Sequence, residues 1–470
     1  MRINTKKTMF DFTDAQEVEK YLKELRAGLI QQLKRGKTVS VPDIPLYSIP
    51  HDSTIFIDST DVAYSSHGIH EFPAKFIPHI PRWAIIKFCK TTDGEEKDKW
   101  VLDPFCGSGT TLVEAKLLGV NSYGIDIDPM ARLLTKVKTT YYEKSELESA
   151  RSKILSALYS SEIDNIEVPD FPNRDHWFDG EVSTSIATVK TSIEKASSDK
   201  DIRDFFYVCL SAIIRTVSLA DPDQIFPEKT EWGLKKKSKM DKTLVFNKFE
   251  QSINKFMPRI LDFSNDCYKD VKTKLIKEDA RKLELDRNSI DVSVTSPPYI
   301  NAMDYPRVNQ LEMYWLGLLD GAKKVDLKKR YVGTEAVSSN DYSDLHLFKG
   351  SKYHNYNKIL RKIYKVDKFR AYIAYKFFED MKQNLEEIFR VLKKSHGAKD
   401  GRYIVVIGDG VIRKIPVPTH EILARIGKDV GFSVENVFSY VIRHRTLLIT
   451  RAAHSGIIHK DWITVFKKTD

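Results

Sequence analysis

The segment that decides the fold of this chain is DPFCGSGTT, at residues 103–111. The apolar run KWVLDP (99–104) predicts a short buried strand that ends at Asp103. Gly107 and Gly109 let the backbone pass close to a ligand, and a helix is predicted from Thr111 to Leu118. A second strand, NSYGIDID (121–128), follows. Strand, glycine turn, helix and strand form one βαβ unit of a doubly wound α/β sheet.

The glycine turn predicts a nucleotide-like ligand. No Gly-Lys-Ser or Gly-Lys-Thr follows the turn, which excludes a P-loop. Nicotinamide enzymes use similar turns, so a nicotinamide cofactor is still an alternative at this point. Asp126 ends the second strand, where a carboxylate can accept hydrogen bonds from both hydroxyls of a ribose. Asp128, two residues further on, can share that role.

A second loop, TSPPY (295–299), directly follows the apolar strand IDVSV. Its two prolines fix the backbone and remove two N–H donors. The Ser296 hydroxyl and the Pro297 carbonyl are then acceptors for the hydrogens of an exocyclic amine, and Tyr299 offers a ring on which a base can stack. This loop predicts transfer chemistry at a base amine.

Together these segments resemble the motifs of the DNA amino-methyltransferases that act on cytosine N4 or adenine N6. The resemblance implies a Rossmann-like class I methyltransferase fold, with a mostly parallel sheet, and S-adenosylmethionine as cofactor. It assigns cofactor binding in the first loop and strand to Asp103, Phe105, Gly107, Gly109, Thr110 and Asp126. It assigns catalysis to Ser296, Pro297, Pro298 and Tyr299.

Two shorter segments extend this resemblance. HEFPAKFIP (70–78) is similar to the family motif that closes over the methionine end of the cofactor, and it adds Phe72 and Lys75 to the cofactor site. EDARKL (278–283) is similar to the motif whose acid binds the adenine amine, a role that falls on Asp279. The cofactor loop precedes the catalytic loop, as in the alpha and gamma arrangements of the family.

The chain divides into four expected regions. Residues 1–65 form an accessory segment with a helix over 15–34, and residues 66–140 form the cofactor-binding half of the catalytic domain. Residues 141–272 are a helical insertion and the candidate target-recognition region, although the family has no standard placement there. Residues 273–470 form the catalytic half, including a helix over 374–394 and a basic segment at 321–370.

Charge predicts a polyanionic partner. Lys and Arg number 75 and Asp and Glu 65, a net charge of +10. The segment 321–370 has 13 Lys or Arg against 5 Asp or Glu, with tyrosines between them. Its DNA-binding candidates are Lys328, Lys329, Arg330 and Tyr331. A second basic run comprises Lys235, Lys236, Lys237 and Lys239.

The segment after the catalytic loop divides into two parts. Asp304, Tyr305 and Arg307 are expected to shape a base pocket. Apolar residues of the following helix are expected to pack on the sheet, namely Leu311, Tyr314, Trp315 and Leu318.

Several classes of protein are excluded by the same sequence. The four cysteines form no CxxC pair and no Cys/His cluster, so we expect neither a disulfide framework nor a metal site. The first residues resemble no signal peptide, and no stretch has the length and apolarity to span a bilayer. We therefore expect a cytoplasmic protein.

The sequence predicts a site-specific methyltransferase that acts on double-stranded DNA with a flipped target base. Cytosine N4 is favoured because Ser, rather than Asp, begins the catalytic motif; adenine N6 is the alternative. A tRNA guanine-N2 methyltransferase, whose catalytic loop is typically DPPY, and a non-catalytic DNA-binding subunit are the further alternatives. The resemblance also allows for a partner restriction endonuclease.

Overall fold

The computed structural model describes residues 49, 51–55, 62–73, 75–89, 98–160, 166–221, 223–236, 241–277, 279–300, 304–319, 321–394, 401–441 and 460–469. The helix expected over 15–34 lies outside the described residues, as do Lys237 and Lys239 of the second basic run.

Ten strands are present in the described residues, eight of them in one sheet. They are β1 (Ser53–Ile55), β2 (Trp100–Asp103), β3 (Asn121–Ile125), β4 (Thr273–Ile276), β5 (Val292–Thr295), β6 (Arg402–Gly408), β7 (Gly410–Ile412), β8 (Ile415–Val417), β9 (Phe432–Val441) and β10 (Lys460–Lys468). The order in the sheet is β1-β9-β10-β6-β5-β2-β3-β4, and β7 pairs with β8 separately. Only β10 runs antiparallel to its sheet neighbours, β6 and β9.

The α-helices of the described residues, in chain order, are α1 (His79–Phe88), α2 (Thr110–Leu117), α3 (Pro129–Thr139), α4 (Lys144–Tyr159), α5 (Arg174–Trp177), α6 (Gly180–Ala196), α7 (Lys200–Ile214), α8 (Glu231–Lys236), α9 (Lys242–Asp266), α10 (Tyr305–Val308), α11 (Gln310–Trp315), α12 (Gly321–Arg330), α13 (His354–Val366), α14 (Lys368–Val391) and α15 (Thr419–Val430). Seven of them, α3 to α9, lie between β3 and β4 in the sequence.

The strand order places a topological switch between β2 and β5. From β2 the chain moves outward through β3 to β4, and it then returns to the other side of β2 as β5. Because β2 and β5 are parallel, their carboxyl ends lie at the same sheet edge. Ligands of doubly wound folds bind in the crevice at such a switch point. The Rossmann-like fold predicted from the sequence is therefore confirmed.

Both faces of the sheet are covered by apolar side chains. Every residue of β6 is buried. Ile404 and Val406 belong to the core shared with α1, whereas Val405 and Ile407 belong to the core shared with α14 and α15. This alternation follows from the two-residue period of a strand and requires helices on both sides.

A third core joins the helices between β3 and β4 to one another and to Val113 of α2. It runs from Met130 and Leu134 of α3 through α4, α6, α7 and α9. Tyr314 and Trp315 of α11 are part of it, and Phe171 stacks on Tyr314 at 5.1 Å. The expectation that Leu311, Tyr314, Trp315 and Leu318 pack on the sheet is wrong, because all four pack in or against this helical core. The domain limits at 140 and 272 stay predictions.

The core strands lie where the sequence patterns predict them, whereas the helices differ more from their predicted positions. The helix expected over 374–394 is α14, which begins at Lys368 because Asp367 caps it by accepting a hydrogen bond from the Arg370 N–H. The basic segment 321–370 contains two α-helices, α12 and α13.

We expect Gly427→Ala to destabilise the fold. A Cβ at Gly427 of α15 would lie 2.3 Å from Cε1 of Phe466, which is fully buried in β10. Overpacking of this kind costs about 1–3 kcal/mol of the free energy of unfolding, which urea denaturation measures. Gly180→Ala in α6 is the matched control, because nothing lies within 4 Å of its added Cβ. Equal stability of the two variants would contradict this packing.

Candidate active site

The glycine loop turns between β2 and α2 in a conformation that requires glycine. Gly107 and Gly109 have φ values of +49° and +86°. A Cβ at Gly109 would lie 2.8 Å from Cγ2 of Thr135, so the loop packs directly on α3. The Gly107 N–H donates a hydrogen bond of 2.9 Å to Oδ2 of Asp126. The loop and the end of β3 are therefore joined.

Asp103 fastens the glycine loop to the catalytic loop. Its carboxylate is fully buried and accepts hydrogen bonds of 2.6 Å from the hydroxyls of Thr111 and Thr295. The Phe105 N–H donates a third, of 3.1 Å. Burial nevertheless raises the pKa of Asp103 to about 6. The sequence predicts Asp103 as a cofactor ligand, whereas the structure places it beneath the loop as a fastening point.

Asp126 and Asp128 form the acidic wall of a cleft, with different roles. Oδ1 of Asp126 accepts a hydrogen bond of 2.8 Å from the Asp128 N–H. Burial and the nearby Asp128 charge raise the pKa of Asp126 to about 7. Asp128 caps α3 through Oδ1 and accepts the Tyr331 hydroxyl through Oδ2. Each oxygen of both carboxylates has a protein partner, but Asp128 is only 2% exposed whereas Asp126 is partly exposed at the cleft, which favours Asp126 over Asp128 as the ligand-binding acid.

A cleft lies at this edge of the sheet, and the space among its lining residues, counted together with the solvent at its mouth, is about 790 Å³. It is lined by most of the predicted cofactor and catalytic residues, namely Phe72, Lys75, Phe105, Gly107, Thr110, Asp126, Asp279, Ser296 and Pro298. Arg330 and Tyr331 also line it. Residues from distant parts of the sequence thus share one cavity.

Three aromatic rings form a second wall of the cleft. Phe72 and Tyr305 lie nearly parallel with centroids 6.4 Å apart, and Tyr305 and Tyr331 lie nearly parallel at 6.1 Å. The sequence predicts Tyr331 as a DNA contact and Tyr305 as part of a base pocket. The structure instead places both rings in the wall of this cleft, which corrects the assignment of Tyr331.

An ion-pair network fixes Asp279 at the opposite side. Arg281 donates to both carboxylate oxygens of Asp279, with distances of 2.8 and 2.6 Å, and to Asp380 at 2.9 Å. Although burial opposes ionisation, Arg281 holds the pKa of Asp279 below its usual value. Sequence reasoning does not find Arg281, which lies within the 278–283 segment but carries no pattern that distinguishes it from a surface arginine.

Buried polar contacts hold the segment that carries Phe72 and Lys75. Glu114 of α2 is fully buried; it accepts a hydrogen bond of 3.0 Å from Arg82, lies 2.7 Å from Nε2 of His67 and accepts the Tyr64 hydroxyl. Nζ of Lys75 donates to the carbonyl of His67 at 2.6 Å. Burial lowers the pKa of Lys75 to about 8. Glu114, which sequence reasoning does not find, is thus the anchor of this segment.

The catalytic loop leaves β5 at the edge of the cleft. Ser296 and Pro298 line the cleft, and Pro297 is buried between them. Tyr299 does not line the cleft; its hydroxyl donates a hydrogen bond of 2.7 Å to Asp461 of β10.

The basic candidates do not form one continuous surface. Lys328 pairs with Asp304 at 2.6 Å, Lys329 is exposed, and Arg330 reaches the cleft. No group of His, Cys, Asp and Glu side chains that would hold a metal ion occurs in the part of the chain that the structure describes. No helix within these described ranges has the length and apolarity to cross a membrane.

Sequence comparisons with known proteins support the same interpretation as the geometry of the cleft. Residues 63–136 match the N6/N4 methyltransferase family described as DNA methylase. Over 406 residues the chain is 27% identical to the type II methyltransferase M.MvaI of Kocuria varians, a match that covers 81% of this chain and 85% of the relative. Both matches support the DNA amino-methyltransferase family that the two loops resemble.

Two further relatives carry the same description. The chain is 23% identical over 376 residues to the type II methyltransferase M.AvaI of Nostoc sp., a match that covers 72% of this chain and 74% of the relative. It is 28% identical over 255 residues to the type II methyltransferase M.BsoBI of Geobacillus stearothermophilus, covering 48% of each.

The cleft fits S-adenosylmethionine, the cofactor of the methyltransferase. Asp126 presents a carboxylate at the end of β3, where it would accept the ribose hydroxyls. Phe72, Tyr305 and Tyr331 provide an aromatic surface for the adenine and the sulfonium region. Gly107 would let the cofactor approach the backbone of the loop.

Cofactor affinity should rise with pH because of Asp126. Its pKa is raised to about 7, and only the ionised carboxylate can accept both ribose hydroxyls. The affinity for S-adenosylhomocysteine should therefore increase about tenfold between pH 6 and pH 8, as measured by calorimetry. Asp126→Asn should bind more weakly and show a flatter profile. An unchanged pH profile in that variant would contradict the assignment.

Proposed function

We propose that the chain transfers the methyl group of S-adenosylmethionine to the N4 amine of a cytosine in double-stranded DNA. The observation that carries this proposal is the double hydrogen bond of Asp103 to Thr111 and Thr295, which fastens the cofactor loop to the catalytic loop. Ser296 follows this link directly and lines the cofactor cleft. A base amine at Ser296 would therefore lie beside the cofactor.

The residues of the catalytic loop would position the base rather than take part in covalent chemistry. The Ser296 hydroxyl and the Pro297 carbonyl would accept the two amine hydrogens, and Tyr299 would stack on the ring. When bound, the cofactor supplies an electrophilic methyl group on a positively charged sulfur. A base within the duplex is inaccessible to this site, so the target nucleotide would be flipped out.

The choice of cytosine over adenine depends on Ser296. The catalytic motif begins with Ser, and the resemblance associates Ser at this position with cytosine N4 enzymes and Asp with adenine N6 enzymes. Adenine N6 is the alternative, since the same hydroxyl can serve its amine. The family model matched by residues 63–136, which is described as DNA methylase, favours a DNA substrate over tRNA, and the intact cleft favours an enzyme over a non-catalytic subunit.

The relatives also support a role in restriction–modification. M.MvaI, M.AvaI and M.BsoBI are described as type II methyltransferases. We propose that this enzyme likewise protects a recognition sequence in cytoplasmic DNA from a partner restriction endonuclease. The helical region 141–272 is the proposed target-recognition region, since it shares a continuous core with α3 of the cofactor site.

Mass spectrometry of nucleosides from methylated DNA tests the reaction. The expected product is N4-methylcytosine; N6-methyladenine as sole product would contradict the base assignment but not the family. Ser296→Ala should lower the single-turnover rate by roughly a hundredfold, about 2.7 kcal/mol, because the hydroxyl acceptor matters at the transition state. Its affinity for S-adenosylhomocysteine should stay within twofold.

The matched control for Ser296→Ala is Ser343→Ala. Ser343 is exposed and donates only to the carbonyl of Asn340. The control should methylate DNA at the wild-type rate. A wild-type rate in Ser296→Ala would contradict the proposed role of the hydroxyl.

The exposed lysines and arginines of residues 321–370 are the proposed DNA track. Lys329 is exposed on α12. The side chains of Lys358, Arg361, Lys362 and Lys365 are exposed on α13, whose opposite face is buried through Leu360 and Ile363. A helix of this kind presents its cations to solvent, where they can contact phosphates.

Charge reversal in this track should weaken DNA binding in a salt-dependent manner. Removing one contact between a cationic side chain and a phosphate should reduce the slope of log K against log salt by about 0.9 for duplex DNA. We therefore expect a slope smaller by about 2 for the double variant Arg361→Glu, Lys362→Glu, as measured by fluorescence anisotropy. Lys428→Glu on α15 is the control; an equal effect there would contradict a localised track.

A further inference from the structure

The carboxylate of Asp461 lies at the sheet edge behind the catalytic loop. Asp461 is the second residue of β10 and pairs with Gly408 of β6 and Tyr440 of β9. β6 is the strand next to β5, from which the catalytic loop emerges. A side chain on β10 can therefore reach Tyr299 at the end of that loop, although the two residues are 162 positions apart.

Two tyrosines share this carboxylate. The Tyr299 hydroxyl donates to Oδ1 at 2.7 Å, and the Tyr440 hydroxyl donates to Oδ2 at 2.8 Å. Asp461 is only 4% exposed, and no Lys, Arg or His among the described residues forms an ion pair with it. Burial raises the pKa of Asp461 and those of both tyrosines.

We propose that Asp461 is a positioning residue that fixes the ring plane of Tyr299 for stacking on the target base. This inference rests on the proposed function. The phenolic O–H lies in the plane of its ring, so a fixed acceptor restricts the rotation of the ring as well as its direction. Tyr440 holds the second oxygen and thus prevents the carboxylate from turning.

The energetic cost of this arrangement supports a positioning role. Burying a carboxylate without a cation is unfavourable, and two neutral hydroxyl donors compensate for it only in part. A phenylalanine at 299 beside an apolar residue at 461 would fill the same space without a buried charge. The hydrogen bond therefore provides orientation that packing alone would not, since the terminal torsion of an aromatic side chain is otherwise broad.

The backbone on the other side of Tyr299 is also restricted. Pro297 and Pro298 limit the loop that precedes the tyrosine, and Thr295 is tied to Asp103. The ring is thus held at its Cα by the loop and at its hydroxyl by β10. Loss of the hydrogen bond to Asp461 should leave the catalytic loop in place and free only the ring of Tyr299 to rotate.

A double-mutant cycle with single-turnover methylation tests the inference. Tyr299→Phe and Asp461→Asn each remove or weaken the same contact, so each should lower the methylation rate by about tenfold. Affinity for S-adenosylhomocysteine should change by less than twofold, because Tyr299 does not line the cofactor cleft. The double variant should be no more than twofold slower than either single variant.

Tyr403→Phe is the matched control. Tyr403 is also a buried tyrosine, but its hydroxyl donates to Asn384 and does not contact the catalytic loop. This variant should keep the wild-type rate within twofold. A tenfold decrease in Tyr403→Phe would show that removing any buried hydrogen bond slows the enzyme, and would overturn the inference.

The remaining outcomes separate the inference from the proposed function. A wild-type rate in Tyr299→Phe, or a hundredfold decrease in the double variant, would overturn the positioning role while leaving methylation intact. If Asp461→Asn does not fold, Tyr299→Phe still removes the same hydrogen bond and decides the question. A wild-type enzyme that methylates no base in DNA would contradict the proposed function, and the positioning role with it.

Discussion

The whole site depends on one buried carboxylate. Asp103 joins α2, through Thr111, to β5, through Thr295, at the point where the chain reverses its direction across the sheet. Without that link only the pairing of β2 with β5 would hold the cofactor loop beside the catalytic loop. The side-chain donors to Asp103 are neutral hydroxyls, so burial still raises the pKa of its carboxyl group. The link is therefore rigid, and a further negative charge placed beside it would be unfavourable.

Local chemistry explains what could be predicted from the sequence. The βαβ unit, the glycine loop and the proline-rich loop depend on neighbouring residues, and they occur where their patterns predict them. The sequence predicts the wrong surface for Tyr331 because its partner, Asp128, is 203 residues away. Asp461 escapes prediction for the same reason: its role exists only after distant strands have met, and a single acid on a strand carries no local signal. Arg281 lies in a turn only two residues from Asp279, but no pattern distinguishes it there, and its second partner, Asp380, is 99 residues away.

The helical region is not mechanically independent of the cofactor site. Its core includes Met130 and Leu134 of α3, and α3 begins at the Asp128 cap beside Asp126. The same core contains Trp315 of α11, which follows the catalytic loop in the chain. Contacts made by these helices with a long ligand would therefore be transmitted through packed side chains to both walls of the cleft, because packed interiors resist deformation.

The position of β10 has a consequence for biosynthesis. This strand inserts between β6 and β9, which both precede it in the chain, and it alone bridges them. As a ribosome extends the chain, the two earlier strands must stay apart with exposed edges until β10 emerges. Such edges favour pairing between nascent chains, so chaperone binding during translation should concentrate on the interval between the synthesis of β6 and that of β10.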